Sequence, residues 1–147
     1  MLVAGLGGVG AYAAEQLCRS GIGEMTIIDG DVVEMTNKNR QLPALDSTVG
    51  LPKAEIMAAR FRDINPDLKL HVINDFIRDE GMVDVLERTS YDYVVDAIDT
   101  LAPKIFLIYH SLQKGLPVVS SMGSGGKLDP LKIEIADISK SYNCNLA

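Results

Sequence analysis

Short apolar runs alternate with helix-period patterns along the whole chain. The runs at residues 1–4, Met25–Asp29, Leu70–Asn74, Tyr93–Asp96, Val118–Ser121 and Ile133–Asp137 have the length and apolar content of strands. Between them, Val9–Ser20, Pro52–Asn65, Glu80–Arg88 and Ala102–Lys114 carry the spacing of helices with one apolar face. Gly21 stands where a left-handed cap would close the first helix, and Pro52 suits a first helical turn. Strand–helix alternation of this kind predicts an α/β fold. The expected form is a Rossmann-like, doubly wound, mostly parallel sheet of six strands in the order 3-2-1-4-5-6, as one domain over residues 1–147. No internal repeat or low-complexity segment interrupts it. The longest connection, Gly30 to Leu51, is polar, and a loop of that length in a compact domain is usually functional.

Composition narrows the class. Hydrophobic residues are 47% and charged residues 23%, an ordinary globular balance. No apolar run approaches the roughly 20 residues that span a bilayer, and no basic-then-apolar leader precedes the first strand. A soluble, cytoplasmic protein is expected. Cys18 and Cys144 lie far apart without C-x-x-C spacing, and His71 and His110 are scattered, which does not suggest a zinc site. Reduced, structural cysteines fit that compartment. The net charge of -6 makes the chain as a whole a poor partner for a polyanion, although a local basic patch is compatible with it. The first run is only the tail of a strand and the last residues form no closing element, so the expectation is the core of a longer protein.

Chemistry concentrates at the ends of the strands. Gly5-Leu6-Gly7-Gly8-Val9-Gly10 follows a strand and opens a helix. Glycines there permit a tight turn and close approach of backbone N–H groups to phosphate, and the helix dipole favours the negative charge. Asp29, 24 positions after Gly5, ends the second strand where an acid accepts hydrogen bonds from ribose hydroxyls. It serves NAD and ATP equally well. Asp31 reads as a loop or capping residue beside it.

The segment Asn37-Lys38-Asn39-Arg40-Gln41, followed by Gly50-Leu51-Pro52-Lys53, separates the two nucleotides. Hydride transfer has no need of fixed cations in that loop. Cleavage between the α- and β-phosphates of ATP does, because charge moves onto pyrophosphate, and Arg, Lys, Asn and Gln are its natural donors. Asp99, just past the fourth strand, lies at the carboxyl edge where ligands bind. A carboxylate there holds magnesium most simply, with waters completing the octahedron, or caps the helix that starts at Thr100. Asp96 is more interior by position and orients the loop. Gly123-Ser124-Gly125-Gly126 follows the fifth strand on the same edge, either facing substrate or forming a plain turn.

Gly5-x-Gly7-Gly8-x-Gly10, Asp29-x-Asp31, Asn37-x-x-Arg40-Gln41, Gly50-x-Pro52-Lys53, Ile64-Asn65-Pro66 and Asp96-x-x-Asp99 together resemble the ubiquitin-activating-type adenylyltransferases, the ThiF/MoeB/HesA superfamily. Within it, Pro103-Lys104 and Gly125-Gly126-Lys127-Leu128-Asp129-Pro130 are similar to the branch that dehydrates threonylcarbamoyladenosine on tRNA. Activators of sulfur-carrier proteins typically bear a C-x-x-C zinc pair after the sixth strand, and Asp137 to Cys144 has none.

The resemblance implies a shared half-reaction in which a substrate carboxylate attacks the α-phosphate of ATP. It implies Asp29 on ribose; Asn37, Arg40, Gln41 and Lys53 along the phosphates; Asp99 on Mg2+; and Asp75 and Phe76 beside the adenine. Arg40, Lys53 and Asp99 are the expected catalytic residues. The implied partner is tRNA, with a ubiquitin-like sulfur carrier as the alternative and a nicotinamide dehydrogenase as the fold-level one. A homodimer, an arginine upstream of the glycine loop and a more basic part beyond Ala147 also belong to the family pattern.

Overall fold

A computed structural model of the chain describes residues 1–78, 80–144 and 146. Five strands form one sheet: β1 (Leu2–Ala4), β2 (Glu24–Ile28), β3 (Lys69–Ile73), β4 (Val94–Asp96) and β5 (Val118–Ser120). Their order is β3-β2-β1-β4-β5 and every pairing is parallel. β1 is central, with Val3 opposite both Ile27 and Val95. Each of its three residues is buried, which is why it reads as an unbroken apolar run rather than an alternating one.

Four helices cover the two faces: α1 (Gly10–Arg19), α2 (Lys53–Ile64), α3 (Glu80–Glu87) and α4 (Leu101–Gln113). On one face, Ala11, Ala14 and Cys18 of α1 and Met57, Ala58 and Phe61 of α2 bury Val3, Met25 and Ile27. On the other, Met82, Val85 and Leu86 of α3 and Leu107 of α4 bury Leu2, Ala4, Ile28 and Val94. Pleat alternation within each strand thus sends neighbouring residues to different cores. Glu15 of α1 joins the two helices of its face, accepting from Arg60 Nε at 2.6 Å and Arg19 Nε at 2.9 Å. Gly21 has φ +79° and closes α1 as expected.

Helix and strand limits fall within about one residue of the sequence expectation, with one correction. The expected sixth strand does not form: among the described residues the sheet has five. Ile133 and Ile135 are 79% and 100% exposed, so no face of that segment packs on anything. Strand propensity without a paired edge and a covered face does not make a strand. Local capping takes the segment instead. Asp129 accepts from Leu131 N–H at 3.1 Å and Asp137 from Ser139 N–H at 3.0 Å, winding two short 3-10 turns.

The long connection after β2 is closed on itself. Val32 and Pro52 form an antiparallel bridge, Val33 N–H donates to Leu51 O at 2.9 Å, and Gly50 N–H donates to Val33 O at 2.8 Å. These bonds return the chain to α2 beside the end of β2, which brings Lys53 next to Asp31.

Candidate functional site

The carboxyl ends of β1, β2 and β4 open on a cavity of about 560 Å³. That size suits a nucleotide-sized ligand. Its wall takes Gly5 and Gly7 from the glycine loop, Asp29 and Asp31 from the end of β2, Gln41 from the long connection and Lys53 from the start of α2. Asp75 to Arg78 and Met82 close one side; Ala97 to Thr100 and Pro103 close the other.

Two glycines set this geometry. Gly5 has φ +89°, and a Cβ on it would lie 2.6 Å from the Ala97 carbonyl oxygen. A Cβ on Gly10 would lie 1.8 Å from Gly5 O. Only bare backbone lets α1 start so close to β1 and the β4–α4 turn. Gly7 and Gly8 differ, since their nearest neighbours are side chains, Gln41 Nε2 at 3.6 Å and Arg40 Cγ at 3.4 Å. α1 has no side-chain cap and no acid in its first turn; of its first amides, Ala11 N–H donates to Gly7 O at 3.4 Å.

Asp29 anchors the loop from the neighbouring strand. Its Oδ2 accepts Leu6 N–H at 2.6 Å and its Oδ1 accepts Asp31 N–H at 2.8 Å. Burial pushes its carboxyl above the ordinary aspartate range, against the two amides and Lys53, which favour the ionised form. Lys53 is 5% exposed and donates to Asp31 Oδ2 at 2.9 Å. The pair lines the cavity, a buried ammonium ion-paired with a solvent-facing acid.

Gln41 is the clearest sign of a missing partner. Its Oε1 is buried without a hydrogen-bond partner while the residue lines the cavity. A buried polar atom of this kind carries a cost of about 1–3 kcal/mol until a ligand or water meets it. Asp99 is exposed on the opposite wall, and Thr100 takes the N-cap position of α4. Asp99 is therefore not the N-cap residue, and Thr100 fills that position without a side-chain cap bond. Asp75 and Phe76 lie together on the far side. Phe76 packs over Gly30, where a Cβ would approach Phe76 N to 2.6 Å.

Four expected residues stay outside the cavity wall: Asn37, Arg40, Gly8 and Gly10. Asn37 is buried, and its Oδ1 accepts Glu34 N–H at 3.0 Å, so it braces the turn that carries its neighbours. Arg40 is exposed over Gly8, its guanidinium donating to Asn39 Oδ1 at 2.9 Å and Thr36 O at 3.2 Å. Gly8 and Gly10 shape the loop without lining the space.

Sequence reasoning did not foresee the apolar side of the cavity, Ile77, Met82 and Pro103. Nor did it foresee what lies beneath Asp99. Lys104 and Asp96 are both fully buried, and Lys104 Nζ donates to Asp96 Oδ2 at 2.6 Å, Ser120 Oγ at 3.1 Å and Ser121 O at 3.0 Å. A lysine eight residues after a strand-end aspartate was the available signal. Among the described residues no group of three or more His, Cys, Asp and Glu could hold a metal, so a metal here would rest on Asp99 and its ligand's own oxygens.

The ThiF family profile matches residues 1–147. The chain belongs to the ThiF family. This ThiF-family domain is 48% identical over 139 residues to the tRNA threonylcarbamoyladenosine dehydratase of Haemophilus influenzae, covering 95% of this chain and 53% of that protein. It superposes with a TM-score of 0.94 on the Escherichia coli enzyme of that name, solved in complex with ATP, at 44% identity over 99% of this chain and 59% of the other. The molybdopterin-synthase adenylyltransferase of Haemophilus influenzae is more distant, 32% identical over 101 residues, 69% of this chain and 41% of that protein. The chain spans about half the length of the curated relatives it matches. Among the described residues no helix is long and apolar enough to cross a membrane.

Proposed function

We propose that this chain is the ATP-binding domain of an adenylating enzyme that dehydrates threonylcarbamoyladenosine on tRNA. One observation carries the proposal. Gln41, Lys53 and Asp99, from three separate segments, converge with the glycine loop on a single cavity, in a chain nearly half identical to such a dehydratase.

In this reading the glycine loop and the uncapped start of α1 receive the phosphates, and Asp29 faces the ribose beside Asp31. Phe76, Asp75 and the apolar side formed by Ile77 and Met82 receive the adenine. Gln41 offers its side-chain N–H donors to the phosphates, while its unpartnered Oε1 can accept only from a donor on the ligand or water. Lys53 and Arg40 meet the charge that gathers on departing pyrophosphate. Asn37 braces their loop. Asp99 would hold Mg2+, which when bound neutralises phosphate charge and orients the oxygens for displacement.

The substrate carboxylate forms a bond to the α-phosphorus as the bond to the bridging oxygen breaks, and pyrophosphate leaves. The carbamoyl oxygen then attacks the activated carbonyl carbon, AMP departs, and the carbamoyl nitrogen gives up its proton. A ring is closed and no cysteine nucleophile is needed. A cytoplasmic homodimer is part of the same proposal, with the tRNA grip supplied outside this domain. That division accommodates the net charge of -6 here.

The test incubates the protein with ATP, magnesium and tRNA bearing threonylcarbamoyladenosine, and follows AMP together with the nucleoside mass. AMP release coupled to loss of one water supports the proposal. AMP release that needs a small carrier protein with a C-terminal glycine instead would move the chain to the sulfur-carrier branch. Binding of NAD without ATP would overturn adenylation itself.

A further inference from the structure

The turn that carries Asp99 is closed by an ion pair. Asp96 ends β4 and Lys104 lies one turn into α4, and Nζ reaches Oδ2 at 2.6 Å with both residues fully buried. The connection at residues 97–100 and the first turn of α4 are therefore held at both feet. Within the connection, Ile98 N–H donates to Asp96 Oδ1 at 3.0 Å and Ala97 N–H to Ala4 O at 2.8 Å. These bonds fix the backbone immediately before Asp99 against the strand that leads into the glycine loop.

The same ammonium reaches the neighbouring loop. Its other acceptors are Ser120 Oγ at 3.1 Å and Ser121 O at 3.0 Å, at the end of β5, and Ser120 Oγ itself donates to Asp96 Oδ2. Ser121 N–H returns to Asp96 O at 2.8 Å. All three donor positions of the ammonium are thus used, and none is left for a ligand. Lys104 takes no part in the cavity wall. A buried ion pair brings little net stability over apolar residues of the same size, because removing both charges from water offsets their attraction. Placement is what this pair adds.

We infer that Lys104 is a positioning residue: its clasp on Asp96 sets where Asp99 stands relative to the glycine loop, and ties that turn to the end of β5. The inference rests on the reading of Asp99 as the residue toward magnesium. Loss of a supporting partner of this kind typically weakens a metal site on the order of 10–100-fold.

The experiment measures ATP affinity by calorimetry with and without magnesium, together with thermal melting. The unaltered protein should bind ATP more tightly when magnesium is present. In Lys104→Met that magnesium-dependent gain should fall by about tenfold or more, and affinity for metal-free ATP should change far less. Because Lys104→Met leaves the Asp96 charge buried alone, the paired variant Asp96→Asn/Lys104→Met is the deciding one. It removes both charges, and its melting temperature should stay near that of the unaltered protein while the magnesium gain is lost. A full magnesium gain in a folded paired variant overturns the inference and leaves the functional proposal standing. The absence of any magnesium gain in the unaltered protein overturns the inference together with the reading of Asp99 on which it rests.

Discussion

Gly10 decides how closely α1 approaches the sheet, and Gly10→Ala measures what that approach contributes. A Cβ there would stand 1.8 Å from the Gly5 carbonyl oxygen and 2.9 Å from Ala97 Cβ. Both neighbours are held by the sheet, so the start of α1 must retreat by at least 1.2 Å (3.0 minus 1.8 Å) to reach an allowed contact. The gap opens across Ala11 and Ala14, which are fully buried. A radial gap of about 0.5–1 Å forfeits a quarter to a half of each dispersion contact it crosses. Overpacking adds about 1–3 kcal/mol, and the better helix propensity of alanine returns at most about 1 kcal/mol. The net expectation is a loss of about 3 kcal/mol, or on the order of 10 °C in melting temperature for a domain of this length. Gly7→Ala is the matched control. Its nearest neighbour would be Gln41 Nε2 at an ordinary 3.6 Å, so it should melt near the unaltered protein yet bind ATP more weakly, its methyl standing at the cavity wall. Circular dichroism melts read the first effect and calorimetry with ATP the second. Gly10→Ala melting within about 2 °C of the unaltered protein, with ATP affinity intact, would refute the close-approach argument.

Other outcomes follow from the same geometry. Arg40→Ala, exposed and free of core contacts, should leave melting unchanged while slowing adenylation by on the order of a hundredfold, the scale of one lost transition-state donor; near-normal AMP release rejects its role. Asp99→Asn should lower turnover in a way that added magnesium does not restore, read from a magnesium titration of AMP release. Arg60, ahead of Arg19, holds the Glu15 carboxyl below its ordinary range despite burial. Its stabilising contribution is present above about pH 4.3 and is lost as pH falls through the lowered folded value. Urea midpoints for Glu15→Gln should therefore be lower at neutral pH and fall less steeply with acid, and an unchanged acid slope contradicts the pairing. Asp29 has the opposite sign, since burial raises its pKa. Its contribution is full below about pH 3.9 and is lost as pH rises through the folded value, so Asp29→Asn should flatten that decline, and a steeper one argues against it.

The sequence by itself determined the elements and their order. Apolar periodicity is a local property, and among the described residues it located the four α-helices and five strands to within about one residue. The glycine loop was equally legible, because its requirement for bare backbone is written in the residue type at Gly5 and Gly10. Asp29 was visible as the acid that ends the second strand, although its hold on Leu6 N–H was not. Tertiary structure decided the rest, for reasons of closure between distant segments. Ile133–Asp137 has strand-like composition, but a strand needs an edge and a cover, and neither is supplied by neighbours in sequence. Asn37 and Gln41 look alike as donors in one loop, yet Asn37 is committed to Glu34 N–H while Gln41 keeps a buried oxygen without a partner. Lys104 stands out in sequence only as part of the Pro103-Lys104 run, which assigns it no role. Only packing of α4 against β4 and β5 puts it out of water, where its charge has to be met by Asp96, and there it fixes the turn on which Asp99 stands.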